Sequence, residues 1–509
     1  MSEVATADDG MSAFMRWSTL FAVTLATTLY ATTILVVSVI LPQMQGTLSA
    51  TQDQIAWVVT FNILATAVVT PMSGWLTAKF GRRKVMLYCI GAFTVSTFLC
   101  GIADSLVPLV LYRIAQGGFG APLIPLAQAT ILDIFPKHQH QKATAIFGMS
   151  VVVGPIIGPT LGGFLSELLN WRWAFFMLVP AGVLAHLALW LVLKEPRRHA
   201  TAVRLDWTGF LSLSVAVVAL QLMLDRGQRL DWFNSVEINI EAALAVIAFY
   251  VFTVHILTTE EPFLNPRRFL NRNYSLGLIL VTIYGMLNFT PMILLPPMLQ
   301  NLMGYPDSII GTLLAFRGAG ATLGFFLAIF VGRLDPRVGI TVGFVAQALS
   351  GWYMASFDIN VTAADVALTS FVQGISVGLI WVPLTVATFA TIESEDLAET
   401  SAVYHLLRNI GSSVFISLSV TTVIRTATAN YAGMTEFITP YNESLLYPTI
   451  LGQWNPDTTP GLAALSGEIQ RQALMIGYLN AFGLYTIASL SILLLVFLVK
   501  PPMRQRPST

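Results

Sequence analysis

The chain has 509 residues, 55% hydrophobic and 11% charged, with a mean hydropathy of +0.70 and a formal net charge of zero. Soluble domains carry about 25% charged residues, so most of this chain has too little polar surface to face water. A soluble enzyme, a disordered polar chain and a nucleic-acid binder are excluded together, and the chain reads as an all-α integral membrane protein.

A bilayer core about 30 Å thick takes about 20 apolar residues as a helix, the form that satisfies every backbone group internally. Fourteen such stretches are predicted in chain order: 17–41, 55–78, 85–102, 106–132, 143–166, 173–194, 207–225, 237–258, 274–300, 308–331, 338–357, 364–391, 398–425 and 475–499. The first is too long for a signal-peptide core and thirteen more follow it, so it is retained. Cys89 and Cys100 lie in one apolar stretch, about 16 Å apart on a helix, beyond the reach of a disulfide. No His/Cys cluster has metal-ligand spacing and no GxxxxGK[ST] loop is present, so neither a metal nor a nucleotide cofactor is expected.

Basic residues set the orientation. Of the 27 Lys and Arg, five fall in the segments after the odd-numbered spans: Arg172, Arg226, Arg229, Arg425 and Arg471. Most of the rest fall on the opposite side, among them Lys79, Arg82, Arg83, Lys84, Arg267 and Arg268, which places both termini in the cytoplasm. Three remain inside spans: Arg113, Arg317 and Arg408.

Self-comparison finds two halves of one design. Gly74 and Gly81 recur 258 residues later as Gly332 and Gly339, and Gln116-Gly117 and Gly154 recur 257 residues later as Gln373-Gly374 and Gly411. The repeat is eight spans long, two more than a six-helix unit, and spans 7 and 8 are the expected insertion. The chain then divides into a cytoplasmic start (1–16), a six-helix bundle (17–194), inserted helices with their linkers (195–273), a second six-helix bundle (274–499) and a cytoplasmic tail (500–509).

Three motifs carry a resemblance. Gly74-Trp-Leu-Thr-Ala-Lys79-Phe-Gly81-Arg82-Arg83-Lys84 follows span 2, and Leu109-Val-Leu-Tyr-Arg113-Ile-Ala-Gln116-Gly117-Gly-Phe-Gly120-Ala121 lies in span 4. Span 5 holds Gly154-Pro155-Ile-Ile-Gly158-Pro159-Thr-Leu-Gly162-Gly163. With fourteen spans, and with Leu220 to Phe233 between spans 7 and 8, the chain resembles the major facilitator superfamily, and within it the EmrB-like fourteen-span drug:proton antiporters. The resemblance covers about residues 17–500. It implies two six-helix bundles plus two inserted helices, alternating access, export of amphipathic compounds across the bacterial inner membrane, and a role in proton coupling for Arg113. It also implies an EmrA-like periplasmic adaptor, with an outer-membrane channel, facing the outer segment 426–474; that segment holds Pro440, Pro448, Pro456 and Pro460 among aromatics such as Tyr441, Tyr447 and Trp454.

Each motif has a physical reading of its own. Glycines at 154, 158 and 162 clear one helix face for a neighbouring backbone, and Pro155 and Pro159 bend the helix. The basic cluster from Lys79 to Lys84 suits a latch between bundles, or simply the inner surface; the family's acidic residue in this motif is replaced by Ala78. An intramembrane guanidinium needs partners and marks a functional site by default, or else a structural bond to a facing carbonyl. His405, three residues from Arg408 on one helical face, is a proton-site candidate. Tyr30, Gln116, Gln128, Asn288, Arg317, Gln373 and Trp381 are the expected cavity lining, although several suit helix-to-helix hydrogen bonds as well. Gly374-Ile-Ser376-Val-Gly378 matches a hydrolase elbow only by coincidence, since no strand precedes it.

The chain departs from that family in span 1, where Leu29-Tyr30-Ala31-Thr32-Thr33-Ile34 holds no carboxylate. Asp133, Asp225 and Glu399 are the acidic residues nearest the span ends. Three deep arginines without a deep carboxylate favour an anionic or weakly acidic amphiphile as substrate. Proton coupling then runs through His405 or Asp133, or the substrate carries its own proton. An importer or uniporter of the same fold, and a non-transporting receptor or scaffold, are the competing readings.

Overall fold

The computed structural model describes residues 12–194, 204–331, 335–439, 441–445, 452–455 and 458–498. Gly332 of the repeat, and Pro440, Tyr447, Pro448 and Pro456 of the outer segment, lie outside the described residues, as does the side chain of Pro159.

Among the described residues the structure is helical and has no strand. The first bundle holds α1 (Ala13–Thr47), α2 (Gln52–Val69, running through Thr70–Met72 into Ser73–Phe80) and α3 (Arg82–Ile102). It is completed by α4 (Leu106–Gly120, resumed at Leu123–Ile134), α5 (His140–Leu168) and α6 (Trp173–Phe176, then Leu178–Val192). The insertion is α7 (Trp207–Arg226) and α8 (Val236–Thr258). The second bundle is α9 (Arg272–Met303), α10 (Asp307–Val331), α11 (Pro336–Ala355), α12 (Ala363–Phe389), α13 (Leu397–Thr435) and α14 (Thr459–Ser491).

Eleven of the described helices are long and apolar enough to cross a membrane. The other three predicted stretches form the 35-residue α1, the two-part α4 and the 29-residue α5. Helix starts follow local chemistry. Thr51 with Gln54 caps α2 and Thr362 with Asp365 caps α12, each pair satisfying two end N–H groups reciprocally. Gly81, at φ 85°, makes the sharp turn between α2 and α3, in backbone space that favours glycine. The interruption of α4 at Ala121 and Pro122 follows from Pro122 and Pro125, which withdraw two N–H donors from the ladder.

One expectation changes. The outer segment 426–474 is helical at both ends, because α13 runs on to Thr435 and α14 starts at Thr459 behind a Thr458 cap and Pro460. A hydropathy reading sees only the apolar part of such helices.

Contacts repeat between the halves: α1 packs on α5 as α9 packs on α13, α2 on α4 as α10 on α12, and α3 on α6 as α11 on α14. Close backbone approaches repeat too. A Cβ on Gly117 would strike the Asn62 carbonyl of α2, and one on Gly374 would strike the Arg317 carbonyl of α10. The α5 glycines rest on α1 at four-residue steps: a Cβ on Gly154 would lie 2.6 Å from the Thr28 carbonyl, one on Gly158 2.8 Å from that of Thr32, and one on Gly162 would strike the Val36 side chain. Cys89 and Cys100 are both buried and free.

Candidate functional site

Two of the three deep arginines are hydrogen-bonded to other helices of their own bundle. Arg113, 1% exposed, donates from Nε to the Val58 carbonyl of α2 (3.1 Å) and from Nη1 to Gln116 Oε1. Gln116 Nε2 in turn donates to Thr97 Oγ1 of α3 (2.7 Å), and Asn62 Nδ2 donates to the Arg113 carbonyl (2.8 Å). Arg317, 4% exposed, donates to Gln373 Oε1 of α12 (2.7 Å), to both the carbonyl and Oδ1 of Asn288 on α9 (2.7 Å each), and to Met292 Sδ (2.9 Å). Gln116 and Gln373 are repeat equivalents and each accepts from an arginine. The Arg113–Gln116 bond lies within α4, which Arg113 ties to α2 through the Val58 carbonyl, whereas the Arg317–Gln373 bond itself joins α10 to α12. The arginine comes from α4 in one half and from α10, the counterpart of α2, in the other.

Arg408 on α13 differs. Its hydrogen bonds go to the adjacent Asn409 Oδ1, at 3.0 and 3.4 Å, and its guanidinium lies 5.4 Å from the ring centre of Trp381 on α12. Guanidinium on indole is a favourable cation–π arrangement. Rings surround Trp381: Tyr284 of α9 at 5.5 Å, Tyr404 at 5.6 Å and His405 at 5.7 Å. From the other bundle comes Tyr30 of α1, whose hydroxyl meets Thr66 Oγ1 at 3.1 Å. Tyr30 lies within electrostatic reach of both Arg113 and Arg408, and Tyr284 of both Arg408 and Arg317.

The seam between bundles passes through this cluster. His405 Nε2 on α13 and Gln128 Oε1 on α4 are 2.8 Å apart, so a neutral imidazole donates across the seam. Three buried polar atoms around it have no partner: His405 Nδ1, Gln128 Nε2 and Trp381 Nε1. Buried polar groups are normally bonded, and orphans gathered in a cluster that holds a cation mark a place for a hydrogen-bonding ligand.

Carboxylates stand apart. Asp133 pairs with Arg82 at 2.9 Å, and Glu399 with Arg268 and the Asn265 N–H (3.0 Å). Asp225 accepts from Thr60 of α2 at 2.8 Å. In α1, where a carboxylate is missing, Thr32 and Thr33 are buried and bonded to carbonyls of their own helix.

The end of the bundles that carries the α2–α3 turn is closed. A Cβ on Gly74 would lie 2.8 Å from Glu399 Cβ of α13, Gln141 of α5 donates to the Ala328 carbonyl of α10 (2.6 Å), and Gly148 faces Phe325 and Trp381. The basic cluster at this end is held within its own bundle: Arg82 by Asp133, Arg83 by the Trp190 carbonyl (3.0 Å), and Lys79 over Trp75 (4.7 Å). Ser376 of the elbow-like pentapeptide donates to the Gln373 carbonyl inside α12, as an ordinary helical serine does.

The structure thus gathers Gln128, Trp381, His405 and Arg408 into one cluster, with Tyr30 of the first bundle within electrostatic reach of Arg408. It places Arg113 with Gln116, and Arg317 with Asn288 and Gln373, in flanking networks, and Asp133 at the closed end. Tyr284 escapes a sequence reading, because a tyrosine in an apolar run looks like any core aromatic.

The Major Facilitator Superfamily model matches residues 23–416. The chain is 32% identical over 490 residues to the multidrug export protein EmrB of Haemophilus influenzae, covering 94% of this chain and 95% of that protein. It is 31% identical over 472 residues to the fatty acid resistance protein FarB of Neisseria gonorrhoeae, covering 92% of each. Among solved structures, the human organic anion transporter MFSD10 superposes with a TM-score of 0.63 at 11% identity, over 93% of this chain and 99% of that one, a likeness of fold.

Proposed function

The chain belongs to the major facilitator superfamily, and on that premise we propose that it is an exporter of amphipathic drugs, acidic ones in particular, that works across the bacterial inner membrane by alternating access in exchange for protons. Export follows from the EmrB relatives, which share about a third of its residues over nearly its whole length. FarB, named for fatty acid resistance, supports acidic amphiphiles as the substrate class. With fourteen spans and the basic loops inside, the closed end faces the cytoplasm, and the described conformation is the one poised to release outward.

The carrying observation is Arg408. It is the deep arginine whose hydrogen bonds go only to its neighbour in sequence, it lies on Trp381, and three orphaned polar atoms belong to Trp381 and the adjoining His405–Gln128 pair. A carboxylate head there would meet a cation and N–H donors, with aromatic rings packing its apolar body. Arg113 and Arg317 brace the two bundles on either side. Since arginine does not deprotonate, the proton carrier is His405, whose bond crosses the seam, or the substrate's own carboxyl, with Asp133 the relay at the inner end. The outward extensions of α13 and α14, with exposed Phe437 and Tyr441 nearby, are the natural contact for a periplasmic adaptor of EmrA type.

Reconstituted transport with a panel of cationic, neutral and acidic amphiphiles tests this reading. Fatty acids and acidic drugs should be exported and compete with one another, and Arg408→Gln should weaken their binding about tenfold, about 1.4 kcal/mol, while sparing neutral compounds. Good transport of cationic dyes without competition by fatty acids would overturn it. Flux direction in inverted vesicles separates an exporter from an importer.

A further inference from the structure

The inserted helix α7 touches both bundles through two consecutive residues of its last turn. Asp225 accepts a hydrogen bond from Thr60 of α2 in the first bundle, and the Leu224 carbonyl accepts one from Ser417 of α13 in the second (2.8 Å each). Each joins the insertion to a different bundle, so α7 bridges the two on the outer side of the His405–Gln128 bond. A crevice of about 350 Å³ opens beside Asp225, with Trp57 and Ala56 of α2 and Arg226 and Arg229 of the insertion in its wall.

One of the two ties depends on charge. The Leu224 carbonyl is a helix-end acceptor that Ser417 serves at any pH. The Asp225 carboxylate is a charge-assisted acceptor, and adding a proton to it turns a strong bond from Thr60 into an ordinary one. Of the charged groups around it, Glu241 of α8 lies within electrostatic reach, and Arg226 and Arg229 of the insertion line the crevice beside it. Glu237 and Glu241 lie on α8, where Arg226 pairs with Glu237, and Arg425 on α13 stands 4.0 Å from Asp231. On α2 the groups that line the crevice beside Asp225 are neutral.

We propose that Asp225 is a proton-binding site of this transporter, tying the inserted helix to the first bundle when ionised and freeing it when a proton arrives from the outer medium. The inference rests on the proton-exchange reading and adds the site where the outer proton acts. Separation of the outer ends of α2 and α13 stretches whatever bridges them, so a tie loosened by outside protons links proton arrival to outward opening. It also gives the insertion a task that twelve helices alone do not perform.

Spin labels on Ile63→Cys of α2 and Phe233→Cys of the hairpin, in reconstituted protein with Cys89 and Cys100 replaced by alanine, report the tie without requiring transport. Acidic medium should lengthen and broaden the label distance relative to alkaline medium. Asp225→Asn and Thr60→Val should give the acidic distribution in both media, while Asp225→Glu and Thr60→Ser restore the response. In transport, Asp225→Asn should flatten the dependence on outer pH several-fold more than Ser417→Ala does. Identical distance distributions in both media for the unsubstituted protein would overturn the proposal, as would a pH response that survives Asp225→Asn but disappears in Glu241→Gln. A label response without any substrate-driven proton flux would leave the tie standing and remove the proton-exchange reading instead.

Discussion

A guanidinium carries five N–H donors, and what those donors reach decides what a buried arginine does. At Arg317 they reach Gln373, Asn288 and Met292, so removal of the arginine strands several acceptors away from water. Each orphaned buried group costs about 1–3 kcal/mol. Arg317→Met should therefore lower the unfolding midpoint of purified protein clearly, and adding Gln373→Leu should cost less than the sum of the two single changes, because the partners disappear together. Additive losses would show that the pair does not act as a unit. Arg408 should behave in the opposite way, with Arg408→Gln leaving the midpoint nearly unchanged and weakening acidic ligands, since its hydrogen bonds go to the neighbouring Asn409. All three arginines stand out in the sequence because charge in an apolar run is rare. Their division of labour does not, because it depends on which way each helix face turns, and that is set by partners as distant in sequence as Gln128 is from His405.

Between elements, the sequence pattern shows that a helix face is small but not what lies against it. The glycine spacing in α5 predicts a close neighbour, and the structure supplies α1. The contacts differ in kind along the ladder, which gives a discriminating test. An alanine at Gly162 meets the Val36 side chain, whereas one at Gly158 meets the Thr32 backbone carbonyl. Overpacking of this sort costs roughly 1–3 kcal/mol. Val36→Ala should rescue Gly162→Ala in thermal unfolding and transport, but Thr32→Ala should not rescue Gly158→Ala; equal rescue would mean that α5 shifts as a rigid body. Helix ends lie at capping residues that a hydropathy reading does not see, and Asp206, at the start of α7, adds a pH-dependent case. Burial works to raise its carboxyl, but the Gly209 and Phe263 N–H groups and His255, at 2.8–3.0 Å, outweigh burial and hold it below the usual carboxylate range. A depressed folded value means that this cap stabilises fully above the unfolded value of about 3.9 and is lost as pH falls through the folded one. Asp206→Asn should lower the unfolding midpoint at neutral pH and show a smaller further drop in acid; an acid drop as large as in the unsubstituted protein would place the effect elsewhere.

At the scale of the molecule, the internal repeat was legible because glycines and glutamines return at a fixed offset, and the contact pattern of the two bundles repeats in the same way. Which end of the seam is shut could not be read, since every conformation of such a carrier shares one sequence and differs only in how two finished surfaces meet. Here the bundles are joined, among other contacts, by Gln141 on the Ala328 carbonyl, Glu399 against Gly74, and His405 on Gln128. They share the joint with apolar packing of α5 on α10 and α12 and of α13 on α4, and a ligand or a proton can break that joint in each cycle only by its differential affinity for the two states. A covalent link across the joint should therefore arrest transport where the weak bonds do not. With Cys89 and Cys100 replaced by alanine, oxidation of a Gln141→Cys and Ala328→Cys pair should stop export and reduction should restore it. Oxidation of a Ser350→Cys and Thr369→Cys pair, which joins α11 to α12 inside one bundle, should leave export intact. Export that continues with the first pair fully cross-linked would mean that this end never opens, and the chain would then not work by alternating exposure of a site between its bundles.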